Sequence, residues 1–111
     1  MKRLIIGLVV AGFTGVPVQA GEPWMDASVA ALSKEKKIRE VLFSNDRSTS
    51  LWISVRDDGS RRDGFAESAC VTLMESGMPV GAFTVIRIWD AAAMARGEQR
   101  ELGRFECSRK G

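Results

Sequence analysis

The first twenty residues decide how much chain has to fold and in which compartment it folds. Lys2 and Arg3 give a charged start, and an apolar run follows from Leu4 to Phe13. Val18-Gln19-Ala20 then ends the segment on small residues at the two positions a signal peptidase reads. This three-part order is that of a secretory signal peptide, with cleavage expected between Ala20 and Gly21. A membrane-spanning helix needs roughly 20 consecutive apolar residues, and this core reaches only about half that before Gly15 and Pro17. No cysteine follows the cut, so no lipid anchor is expected, and with the short apolar run removed no stable membrane anchor is expected on the mature form. Residues 21–111 are left as one small domain, periplasmic or secreted.

Both cysteines, Cys70 and Cys107, lie in that exported part, and two cysteines allow one intramolecular pairing. An oxidising compartment favours the bond. Closing a loop of about 37 residues takes roughly 4 kcal/mol from the unfolded chain in the chain-entropy model. For a domain with a small core, that is a large share of total stability.

Export also changes what the charge means. Removing Lys2 and Arg3 takes two of the 16 basic residues and balances the remainder against 14 acidic ones. A nucleic-acid binder carries a basic excess to neutralise phosphates, so no nucleic-acid partner is expected. Steering towards anionic lipid is disfavoured on the same ground.

Hydrophobic spacing supplies the elements. Trp24, Ala27, Ala31, Ile38, Val41 and Leu42 recur near a 3.6-residue period, with Lys34, Glu35, Lys36, Lys37, Arg39 and Glu40 on the wet side. One amphipathic helix from about Trp24 to Phe43 accommodates them, with Ser33 as a point of interruption. The polar run 44–50 reads as loop. Leu51 to Arg56 alternates as a strand, with Leu51, Ile53 and Val55 on one face and Trp52, Ser54 and Arg56 on the other. A second helix is expected from Asp63, whose carboxylate is placed to cap its first turn, to a stop at Gly77. Phe83 to Asp90 is a strand. Asp90 then caps a short helix ended by Gly97, and Leu102 to Ser108 forms a last strand with Phe105 and Cys107 on one face. The order α-β-α-β-(short α)-β gives a small two-layer α/β sandwich of the α+β kind, with about three strands and two principal helices on one sheet face. In it the Cys70–Cys107 disulfide joins the layers.

The residues missing from the chain narrow its chemistry. It contains no histidine and no tyrosine. A Ser-His-Asp or Cys-His nucleophile pair and a histidine-ligated metal are thereby excluded. There is no Cys-x-x-Cys, Gly-x-Gly-x-x-Gly or P-loop pattern. No catalytic set, cofactor or metal is expected. A pair of carboxylates can hydrolyse a glycoside without histidine, but the acidic residues here fall on solvated helix faces and turns.

Two constellations are candidates for recognition instead. The junction from Arg56 to Gly64 packs Arg56, Asp57, Asp58, Arg61, Arg62 and Asp63 between a strand and a helix. Read plainly it is a solvated turn whose charges pair among themselves. Read as a binding loop, its arginines hold a carboxylate or phosphate. A calcium loop does not fit, because the acidic spacing is wrong and the arginines repel a cation. The second constellation is Trp24, Trp52 and Trp89. Core packing or cover by the first helix accounts for them; alternatively Trp52 and Trp89 share an open face beside Arg56 and Arg87, residue types enriched in binding hot spots. The expected function is that of a small exported non-enzymatic binding or accessory protein. It would contact a protein partner in the cell envelope or in a secretion or transfer system through Trp52 and the junction. A structural subunit of an envelope assembly, self-associated or not, is the alternative, and a carboxylate-based hydrolase the weakest.

Overall fold

Every second residue from Leu51 to Val55 is fully buried, and that row anchors the domain. The computed structural model describes residues 22–44 and 49–110; the signal segment and its cleavage position at Ala20 and Gly21 lie outside them. In chain order the elements are α1 (Pro23–Leu32), β1 (Ile38–Ser44), β2 (Ser50–Val55), α2 (Asp63–Glu75), β3 (Phe83–Asp90), α3 (Ala91–Ala95) and β4 (Glu101–Ser108). The sheet order is β1-β2-β3-β4, with antiparallel pairs at both edges and a parallel pair, β2 with β3, in the centre. A parallel pair needs a crossover, and α2 supplies it.

The domain is thus a small α+β fold with four strands, one more than the sequence indicates. The added strand is β1, taken from the second half of the expected Trp24–Phe43 helix. Pro23 opens α1, and Trp24, Ser28 and Leu32 form its buried stripe. The helix stops at Ser33, as its interruption there indicates. Of the next apolar residues, Ile38 and Val41 are β-branched and Phe43 is aromatic, and such side chains fit a pleated surface better than a helix. Val41 faces Ile53 and Phe43 faces Leu51 across the hairpin. Leu42, assigned to the helix's apolar stripe, points to the opposite sheet face and is 44% exposed. The error is one of period: four apolar residues in six fit either repeat, and the long-range partner decides.

Leu51, Ile53, Ile86, Ile88, Leu73, Ala66 and Cys107 have no exposed surface and make the centre of the core. The strand residues among them line one sheet face, against which α1 and α2 pack; each Leu or Ile buried in this core contributes roughly 1.5–3 kcal/mol. Ala66, Ala69, Cys70 and Leu73 form the matching stripe on α2. Cys70 and Cys107 are bonded, with Cα atoms 5.5 Å apart, so the bond ties α2 to β4 across the layer boundary. Gly77, at φ +102°, ends α2. Its N–H donates to the Met74 carbonyl (3.2 Å) and that of Met78 to the Leu73 carbonyl (3.1 Å), a left-handed cap that turns Met78 into the core.

The start of α2 differs from expectation. Asp63 does not cap the helix; it is the first helical residue, and the cap position is Arg62, whose side chain makes no capping bond. The Asp63 carboxylate instead accepts the Arg104 N–H of β4 (2.9 Å), while the Leu102 carbonyl accepts the Arg62 N–H (3.0 Å). β4 is an edge strand with main-chain groups that no neighbouring strand satisfies, and the helix start takes two of them. Gly103, between those two residues, permits the approach: a Cβ there would lie 2.3 Å from the Arg62 carbonyl carbon.

Candidate functional site

The two principal helices cover one sheet face, and the other carries Trp52. Leu42, Trp52 and Arg87 lie side by side across β1, β2 and β3, with Trp89 two residues beyond Arg87. The Trp52 and Trp89 rings are 4.9 Å apart and tilted by 48°. The Arg87 guanidinium carbon stands 5.0 Å from the Trp89 ring centre, within cation–π range. Glu101 on β4 holds that arginine through a 2.7 Å bond from its Nε. Trp52 donates from its indole nitrogen to the Ser50 hydroxyl (3.1 Å).

Cover for this cluster comes from α3, not from the first helix. Asp90 accepts the Ala92 N–H (3.1 Å), confirming it as the cap of that short helix. Met94 then lies beside Trp52 and Trp89 in a shallow hollow completed by Glu40, Leu42 and Ser54. Trp89 is left 4% exposed and Trp52 half-buried. Trp24 belongs to the other face, in the core, edge-on to Phe43 at 5.6 Å. The three tryptophans therefore divide into a core residue, a covered residue and a partly open one.

Most of the Arg56–Gly64 junction is paired internally. Asp57 accepts the Gly59 N–H (2.9 Å) and meets Arg100 at 3.0 Å. Asp58 accepts both the N–H and the hydroxyl of Ser60. These bonds, the hydroxyl first, hold its carboxyl below the usual carboxylate range. Arg61 pairs with Asp63, and the bond raises the arginine pKa. The same bond, with the Arg104 N–H second, lowers that of Asp63. Arg62 turns inward: its side chain is 10% exposed and donates to the Arg56 carbonyl at 2.9 Å. Asp58, Arg61, Arg62 and Asp63 pair within the junction, as the plain reading has it, whereas the ion-pair partner of Asp57 is Arg100, outside it.

Arg56 is the exception. β2 ends at Val55, so Arg56 stands past its end and makes no ion pair among the described residues. It lines a different depression from Trp52, together with Lys36, Lys37, Ile38, Arg39, Asp58 and Arg62. The structure thus separates Trp52 from the junction and gives each other neighbours: Trp89, Arg87 and Met94 in one case, Lys36, Lys37 and Arg39 in the other. Arg87 and Trp89 are legible as partners in the strand alternation. The three basic residues were hidden by the helical reading, which spread them along a solvated helix face.

Among the described residues no three His, Cys, Asp or Glu side chains group to hold a metal, and no helix is long and apolar enough to cross a membrane. Comparison with protein-family models, curated proteins and solved structures returned no match.

Proposed function

We propose that the protein is a small exported, non-enzymatic binding or accessory protein that contacts a protein partner in the cell envelope. The signal-like first twenty residues and the Cys70–Cys107 bond support a periplasmic or secreted location. The absence of histidine and tyrosine, with Asp57, Asp58, Asp63 and Glu101 committed to arginines or main-chain groups, favours binding over catalysis.

The observation that carries the reading is the partly open Trp52, backed by the covered Trp89 and with Arg87 nearby, on the sheet face the principal helices leave free. Aromatic rings offer large contact area at low entropic cost, and an arginine fork held by Glu101 orients a partner's polar groups. Leu42 and Phe83, 44% and 49% exposed, extend the apolar part of this face on neighbouring strands. A photo-crosslinking residue at Leu42 should join the protein to one discrete envelope partner. The same residue at Val71, which is 54% exposed on the outer side of α2, should not. Equal labelling from both positions, or labelling from Val71 alone, contradicts this placement.

A further inference from the structure

The chain is neutral after export, yet its cations are not spread evenly. Arg61, Arg87, Arg96 and Arg100 each hold a carboxylate. Lys36, Lys37, Arg39 and Arg56 hold none among the described residues, and all four line one cleft of about 620 Å³ with Arg62. They come from three separate segments: the α1–β1 turn, the first residues of β1, and the end of β2. The register between β1 and β2 shifts between Ile38 and Glu40, leaving Arg39 without a partner residue on β2. Such irregularities re-aim a side chain out of the regular alternation.

Arg62 forms the cleft's inner wall and is held there. One guanidinium nitrogen donates to the Arg56 carbonyl (2.9 Å) and lies 3.5 Å from Asp58, the single carboxylate of the cleft among the described residues. Its Nε is buried and has no partner among the described residues. A buried guanidinium N–H without an acceptor is costly, and the cleft wall carries that cost in the free protein. Clustering Lys36, Lys37, Arg39 and Arg56 beside one carboxylate that already leans on Arg62 is also unfavourable in the free protein, and an anion relieves it. The volume is in the range of small-molecule sites. Among the described residues the lining includes no aromatic ring on which a base could stack, and Ile38 is its only apolar side chain.

We propose that this cleft binds a multiply charged small oxyanion, bearing phosphate or carboxylate groups. More than one anionic group suits the cleft, because four cations without a carboxylate partner among the described residues line a volume of about 620 Å³, more than a single phosphate fills. This site is independent of the protein-contact face, and either can fail without the other.

Titration calorimetry with sodium tripolyphosphate and with citrate tests it, on the purified protein with its disulfide intact. Expected is saturable one-to-one binding of at least one anion, weakening as salt rises from about 20 to about 150 mM. The better binder of the two identifies phosphate or carboxylate as the preferred group. Arg39→Ala combined with Arg56→Ala should weaken binding about tenfold or more, with the melting temperature retained because both side chains are exposed. Arg104→Ala, an exposed cation outside the cleft, should leave binding unchanged. If the double variant does not fold, Lys36→Ala with Lys37→Ala replaces it. No saturable binding of either anion overturns the proposal, as does binding that the cleft variants leave intact or that Arg104→Ala weakens equally.

Discussion

Gly103 shows how much one side chain, or its absence, decides here. Its backbone lies under the Arg62–Asp63 peptide, and an added Cβ would fall 2.5 Å from the Arg62 oxygen and 2.6 Å from the Asp63 nitrogen. Those are main-chain atoms that no rotamer change can move. Gly103→Ala should therefore lift the start of α2 off β4 and cost about 2 kcal/mol or more, as overpacking does. Urea unfolding checks this, and an unchanged midpoint would show that α2 can shift without loss. The sequence marks the Asp63 region as a helix start but not this contact. The carboxylate that looks like a cap is drawn to an N–H 41 residues away, and no local pattern encodes a partner at that distance.

Among the elements, α2 and β4 form the best-connected pair. The helix start satisfies the edge of β4, and the Cys70–Cys107 bond holds its middle to the same strand. The pairing was legible because helical and strand periodicity each put one cysteine on an inner face. Breaking it with Cys70→Ser and Cys107→Ser should cost about 2–5 kcal/mol by denaturant unfolding, the usual effect of losing a native disulfide in a small disulfide-bonded domain. A loss well under 1 kcal/mol would mean that the main-chain contacts alone fix α2 on the strand. β1 was not legible. Its apolar residues fit a helical stripe as well as a strand, and only the hairpin partners Leu51 and Ile53 settle the choice. The same ambiguity hid the basic cleft, since Arg39 reaches Arg56 only in the strand conformation.

At the scale of the whole molecule, the two sheet faces are unlike. One is sealed by α1, α2 and the disulfide and carries the stability. The other is crossed by the short α3 and leaves Trp52, Leu42 and Phe83 partly in contact with solvent. Stability and recognition would then be separable by mutation, which is the central claim. The direct test is Trp52→Ala, with equilibrium unfolding and capture of the partner crosslinked at Leu42 measured on the same preparation. Losing the stacking on Trp89 should cost about 1 kcal/mol, and unfolding should stay cooperative. Partner capture should be lost. Capture at the wild-type level, or a Trp52→Ala protein that no longer folds, would contradict the division of the sheet into a stabilising face and a binding face.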